Sequence, residues 1–410
     1  MEKQILEKID SYRDYAIDLQ RGLTAIPAIS PASGGEGEWD KAVWLEGELR
    51  KLKFDEIKRI DVPDEKAKNG VRPNIVARYR GKSSSKTVWI MTHLDVVPPG
   101  EMSLWKTDPY QLHVDGNKIY GRGVEDNQQG LVGSILCVKA MMDLDYRPPV
   151  DIALLFNADE EMGSDYGAAY VVKHHGDLFH KNDMFIVPDG GTPDATMLEV
   201  SEKSLLWLKI KTSGKQCHAS TPAQGKNSFR AASELVVKLG GLYKKFKKSN
   251  KLYDPPISTF EPTKKDSNVP NINTIPGEDV FYLDCRVLPE YKLSAVRKEI
   301  TRLAREVEKK FKVKISFETV QVSEAAPPTS VDSEIVKIMA VAVKEVHRAK
   351  AKPMGIGGGT VAAYFRRLNL PTVVYGKQDE VAHQPNEYCI LDNLIGDAKV
   401  FALSAIRVKP

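Results

Sequence analysis

The sequence predicts an α/β protein built on a mainly parallel sheet, with a smaller α+β domain inserted into it. Three observations predict it. First, three apolar strand-like runs, at 87–91, 151–156 and 184–187, are separated by helix-like stretches, the alternation that builds parallel sheets. Second, each run finishes on histidine or acidic residues: Thr92-His93-Leu94-Asp95, Asp159-Glu160-Glu161 and Pro188-Asp189-Gly190. In open parallel sheets ligands sit beyond the carboxyl ends of the strands, so the three clusters have a physical reason to converge. Third, between about 204 and 322 the order becomes β-α-β-β-α-β, as in a ferredoxin-like split unit. The expected organisation is a main domain in two parts, 1–203 and 323–410, around an inserted domain at 204–322.

Taken in order, residues 1–25 place Ile5, Ile9, Tyr12, Ala16 and Leu19 at helical spacing. A Pro/Gly/Ser loop at 26–37 precedes a helical stretch at 40–52, and 74–79 alternates like a strand. The run at 87 is the next strand. The turn Gly121-Arg122-Gly123-Val124-Glu125-Asp126 opens a helix-like segment over 127–144. In the insert, 204–211, 257–261, 279–287 and 313–320 read as strands, and 228–246 and 293–310 as helices. A Pro/Ser/Thr stretch at 323–330 is the return linker. The last part reads as a helix at 333–348, a Gly-rich turn at 355–360, a strand at 371–375, a loop at 381–387 and a final helix from about 391.

Composition narrows the function. A length of 410 residues favours two domains over one. Net charge is +4 from 59 basic and 55 acidic residues, too balanced to argue for nucleic acid or an anionic membrane as partner. No run approaches the roughly 18 apolar residues of a membrane span. The segment after Met1 lacks a signal peptide's apolar core, so the expected location is cytoplasmic. Cys137, Cys217, Cys285 and Cys389 form no close pair, which fits reduced thiols. Gly357-Gly358-Gly359 lacks the Lys-Ser/Thr of a phosphate-binding loop.

Histidine with several carboxylates suits divalent metals such as zinc. Each motif is weak alone, since a solitary His-x-Asp or Glu-Glu is commonly surface or core. Together, His93-Leu94-Asp95-Val96-Val97-Pro98, Gly121 to Asp126, Asp159-Glu160-Glu161-Met162-Gly163, His218-Ala219-Ser220-Thr221-Pro222, Asn271 to Gly277, Gly358-Gly359-Thr360 and His383 are far more specific. In order and spacing they resemble the di-zinc metallopeptidases and deacylases. That family includes aminoacylase, acetylornithine deacetylase, succinyl-diaminopimelate desuccinylase, glutamate carboxypeptidase and cytosolic dipeptidases.

The resemblance implies two metal ions bridged by Asp126, with His93 and Asp189 completing one site and Glu161 and His383 the other. It implies Glu160 as general base and Asp95 as the group orienting His93. His218 would stabilise the oxyanion, often from a partner subunit, which implies a homodimer through the inserted domain. Asn271, Arg286, Gly358, Gly359 and Thr360 resemble positions that hold a substrate carboxylate. Two stretches depart from the common family pattern: Asp126-Asn127-Gln128-Gln129-Gly130 replaces Asp-x-Lys-Gly, and Gly358-Gly359-Thr360-Val361 replaces Gly-Gly-Thr-Asp. Neither touches an implied ligand.

The expected activity is amide hydrolysis on a small carboxylate-bearing substrate. N-acyl amino acid deacylation of the succinyl-diaminopimelate desuccinylase or acetylornithine deacetylase type comes first. Dipeptidase, aminopeptidase or carboxypeptidase action comes second. A non-catalytic binding protein and a dinuclear phosphoesterase are the rivals from other classes. Zinc leads by ligand type, with cobalt and manganese as alternatives.

Overall fold

The computed structural model describes all 410 residues. They form two compact units: Met1–Val200 with Pro328–Met354 and Val361–Pro410, and Ser201–Pro327 with Gly355–Thr360. No helix is long and apolar enough to cross a membrane.

The first unit is built on an eight-stranded sheet. Its strand order is Glu56–Pro63, Val71–Tyr79, Val150–Asn157, Ser83–His93, Met184–Val187, Thr372–Val374, Met197–Glu202, Lys352–Ile356. The central pairings are parallel, Ser83–His93 with Val150–Asn157 and Met184–Val187, and Met184–Val187 with Thr372–Val374. Antiparallel partners flank them, on one side Val71–Tyr79 and on the other Met197–Glu202. The parallel strands are buried on both faces and read as continuous apolar runs, as such strands must. The register pairs His93 with Asn157 and Ile90 with Ile186, so the three acidic or histidine-bearing ends emerge at one edge.

The helix Gln128–Asp143 is buried nearly all round and packs against Leu391–Arg407. An apolar surface on every side leaves a helix no solvent face. Residues 1–25 form two helices, Glu2–Asp10 and Arg13–Thr24, broken at Ser11-Tyr12. The edge strand Glu56–Pro63 and the short strands His113–Asp115, Lys118–Tyr120 and Tyr388–Ile390 escape the sequence reading, because three to eight half-exposed residues carry little periodicity.

The second unit has four antiparallel strands, in the order Thr259–Lys265, Glu278–Val287, Ser204–Ser213, Lys314–Ser323. The helices Ser228–Leu239 and Leu293–Phe311 cover one face. Leu235, Val296, Ile300 and Val307 pack there on Leu206, Leu208, Ile210, Phe281 and Leu283. Gly240-Gly241 ends the first of these helices before the short helix Leu242–Lys245. The alternate residues Trp207, Lys209, Tyr282, Asp284 and Arg286 stay half-buried on the opposite, helix-free face.

Candidate metal centre

The three strand ends supply the site of the first unit. His93 closes its strand with its ring buried, and Nε2 lies 3.0 Å from Asp126 Oδ1 and 3.4 Å from Asp189 Oδ1. On the other side of Asp126, His383 Nε2 is 3.1 Å from Oδ2 and 3.0 Å from Glu161 Oε2. The groups His93–Asp126–Asp189 and Asp126–Glu161–His383 each bring their donor atoms within 4.8 Å of one another, and Asp126 is common to both. Four carboxylates, Asp126, Glu160, Glu161 and Asp189, crowd here without a lysine or arginine paired to any of them. Nitrogen and carboxylate donors with uncompensated negative charge fit two divalent cations.

Electrostatics shows the same imbalance. Burial, with the negative charges of Asp189, Asp126 and Asp95, raises the Glu160 carboxyl well above its usual range. Burial also raises Glu161 and Asp189. Asp126 goes the other way: burial is outweighed by its bonds to His383 and His93, which hold it low. The bonds from Asp126 and Glu161 push the His383 imidazole up to about 10.

This gives a prediction. A histidine pKa raised from 6.5 to about 10 stabilises the metal-free fold fully below 6.5, and the contribution fades as pH rises through about 10. Only the neutral ring ligates, so metal uptake at neutral pH expels the proton. Apparent metal affinity is expected to climb by about tenfold per pH unit for each proton displaced. Calorimetric titration at two pH values, in buffers of different ionisation heat, reads it. An affinity independent of pH would contradict it.

Supports hold these groups in place. His93 Nδ1 lies 3.0 Å from the Asp95 carbonyl oxygen and 3.5 Å from its carboxylate. The same carboxylate also binds the next strand end, where Oδ1 accepts from Glu160 N and Oδ2 from Glu161 N, both at 3.0 Å. One aspartate therefore orients His93 through its backbone and the Glu160-Glu161 pair through its side chain. From behind, Glu38 accepts from Asp159 N at 3.2 Å and pairs with buried Arg72. That anchors Asp159 in its left-handed conformation, φ 64°.

Glu387, Glu125 and Asn127 are not singled out by the sequence reading, yet each positions a site residue. The buried Glu387 carboxylate accepts from Gly123, Glu125 and Asp126 N–H at 3.0–3.1 Å and from Arg122 Nη1 at 2.6 Å. Burial raises Glu125 to about 7, and its two oxygens accept from Asp379 N and Val381 N, tying down the loop that carries His383. Asn127 Nδ2 donates to Asp189 Oδ1 at 2.8 Å. The signal that could have found Glu387 and Glu125 is an acidic residue inside an otherwise apolar or turn-forming stretch; Asn127 carries no such mark. Gly130 matters for closeness: a Cβ there would meet Pro188 at 2.7 Å, so glycine lets the helix start abut the strand end bearing Asp189. A cleft of about 270 Å³ opens beside Asp126 and Asp189, lined also by Glu125, Gln378 and Glu380.

The other expected residues belong to the second unit. His218 is exposed; its Nδ1 accepts from Ser220 N at 3.1 Å, which leaves the neutral ring's proton on Nε2. Asn271 is exposed in the loop before Thr274–Ile275. Arg286 donates Nε and Nη2 to the Asp284 carboxylate at 2.8 and 3.0 Å, and Nη1 to Gly357 O at 2.8 Å. Of the five guanidinium N–H groups, that leaves one on each terminal nitrogen. Gly358 and Gly359 are partly and largely exposed, and Thr360 Oγ1 donates to Glu202 at 2.6 Å.

Comparison with known proteins places this geometry. The profile of peptidase family M20/M25/M40 matches residues 89–407. A metallohydrolase of Methanocaldococcus jannaschii is 40% identical over 407 residues, 94% of this chain and 97% of that protein. The succinyl-diaminopimelate desuccinylase of Cereibacter sphaeroides is 26% identical over 377 residues, 90% of this chain and 93% of its own. Among solved structures, aminopeptidase PepT of Bacillus cereus shares the fold with a TM-score of 0.76 at 16% identity, covering 96% of this chain and 98% of its own. The chain belongs to peptidase family M20/M25/M40 and is a metallohydrolase of that family.

Proposed function

We propose that this protein hydrolyses the amide bond of an N-acyl amino acid, in the manner of succinyl-diaminopimelate desuccinylase or acetylornithine deacetylase. The observation that carries the reading is Glu160, a half-buried carboxyl with no hydrogen-bond partner of its own. It stands beside five donors that fit two cations. His93, Asp126 and Asp189 would hold one cation, and Asp126, Glu161 and His383 the other, with zinc favoured by donor type. When bound, such cations acidify water and offset negative charge growing on a carbonyl oxygen.

The chain's own groups account for the rest. Glu160 takes a proton from the attacking water as its oxygen bonds to the carbonyl carbon. Glu160 then gives that proton to the departing nitrogen as the C–N bond breaks, which leaves a carboxylic acid and an amine; the acid's remaining proton passes to the amine or to solvent, giving the carboxylate. Fixed at its backbone by Asp95, its carboxylate can swing only through its own side-chain torsions. The Nε2–H of His218 is a donor suited to the oxyanion, and the two uncommitted N–H groups of Arg286 suit the substrate carboxylate. A homodimer through the inserted unit, in a cytoplasmic setting, completes the reading.

Cleavage of free dipeptides is the second reading, and Glu380 favours it. Its exposed carboxylate has no cationic partner and borders the cleft beside Asp126 and Asp189, where it could receive a substrate ammonium. The test is turnover by zinc-loaded protein of N-acetyl and N-succinyl amino acids, succinyl-diaminopimelate, unblocked dipeptides and phosphoesters. Turnover of acylated substrates alone is expected. Turnover of dipeptides alone would replace the first reading with the second. Phosphoester turnover alone, or metal binding with no turnover, would overturn both.

A further inference from the structure

We infer that the helix-free face of the second unit's sheet holds a specificity pocket for a bulky apolar or aromatic side chain. That side chain belongs to the substrate residue whose carboxylate Arg286 receives, so the inference rests on the amide-hydrolase reading. Trp207 lies opposite Asp284 on one neighbouring strand and opposite Gln321 on the other. Tyr282, Asp284 and Arg286 follow at two-residue spacing on the same face. The Arg286 guanidinium stands 5.6 Å from the Trp207 ring centre.

Beside these rings opens a cleft of about 290 Å³, lined by Trp207, Tyr282, Thr263, Lys264 and Val320 together with Leu283 and Asp284, the carboxylate of the last being engaged by Arg286. Both edge strands break register next to it. The slip between Pro262 and Lys265 leaves Thr263 and Lys264 unmatched, and the slip between Thr319 and Gln321 leaves Val320 unmatched. Those three residues are the cleft's flanks, and bulges of this kind re-aim side chains next to binding sites. The Trp207 indole N–H is buried without an acceptor.

The occupant follows from size and chemistry. The cleft is at the small end of ligand pockets, so it admits one side chain and excludes a helix or strand of another protein. Its lining is mostly apolar and includes the Trp207 and Tyr282 rings, which favours apolar and aromatic groups. In an amino acid the carboxylate and the side chain hang from one carbon. A carboxylate seated on the free N–H groups of Arg286 therefore puts its side chain within reach of the Trp207 ring, 5.6 Å away.

The test uses the whole metal-loaded protein with matched substrates, N-acetyl-phenylalanine, -leucine and -glycine, and Gly-Phe against Gly-Gly. Pockets of this kind discriminate by about tenfold or more, so kcat/KM for phenylalanine is expected to exceed that for glycine by about tenfold, chiefly through KM. Trp207→Ala should bring the ratio close to one, while Trp207→Phe keeps most of it. Val320→Trp fills the cleft from a position 52% exposed, where folding is not at stake, and should cut the ratio as well. A wild-type ratio near one, or a ratio untouched by Trp207→Ala and Val320→Trp, overturns the pocket and leaves the amide-hydrolase reading standing. If no amide is cleaved, that reading fails by itself. Calorimetric binding of N-acetyl-phenylalanine against N-acetyl-glycine then decides on the pocket: preference for phenylalanine, lost in Val320→Trp, supports it, and equal binding overturns it.

Discussion

Glu160→Ala is expected to lower amide hydrolysis by about 10²–10⁴-fold, the range for losing a positioned general base, while the protein still binds two metal ions. The side chain makes no hydrogen bond that the fold depends on; only its backbone is used, the N–H by Asp95 and the carbonyl by the N–H of Gly163. Folding and the five-residue donor set should therefore survive the substitution. Initial rates on an N-acyl amino acid, read beside metal content per chain, check this. Activity within a few-fold of wild type would remove Glu160 from the mechanism. Loss of one metal ion with the activity would make it a ligand. Glu161→Ala should behave oppositely, losing affinity at the Asp126–Glu161–His383 site, since that carboxylate lies 3.0 Å from His383 Nε2.

Glu387→Ala is expected to cost about 3–5 kcal/mol of stability, the range for breaking one side of a buried ion pair. Arg122 and Glu387 are both buried, and the substitution leaves the guanidinium without its carboxylate. It also strands the N–H groups of Gly123, Glu125 and Asp126. Because those amides set the path of the chain into Asp126, metal affinity should fall as well, by about 10–100-fold as for other residues that orient ligands. Chemical denaturation of the metal-free protein reads the first effect and metal titration the second. Glu387→Gln should fall between, since an amide still accepts but carries no charge. A denaturation midpoint unchanged in Glu387→Ala would show that the amides find other acceptors.

How much of the fold and site is legible in the sequence depends on how local each signal is. The strand runs ending in His93, Glu160-Glu161 and Asp189 can be read because the alternation of apolar strands and helices is local, and parallel pairing then forces their ends together. Bringing Asp126 and His383 to that edge needs the family resemblance, since no spacing rule links residues so far apart in the chain. Glu387 is out of reach: its partners lie 261–265 residues away, and the strand that follows it, Tyr388–Ile390, is three residues long. The double role of Asp95 is equally hidden, because a sequence names a carboxylate but not which of its atoms faces a given ring. The face bearing Trp207 and Arg286 is implicit in the alternation of their strands, whereas the bulges that open the cleft beside it leave no compositional mark.

The long reach of Glu387 has a consequence for the life history of the molecule. A ribosome delivers His93, Asp126, Glu161 and Asp189 early, as part of a sheet whose central strands are already able to pair. The last donor, His383, and the carboxylate that shapes the Asp126 loop arrive only with the final stretch of chain. Until then the early carboxylates repel one another, with neither the second imidazole nor the amide clamp to settle them. Loops closed over such separations also form slowly. The Asp126–Glu161–His383 group is therefore completed only once that late stretch has folded back onto the sheet, whereas the donors of the His93–Asp126–Asp189 group are all present much earlier.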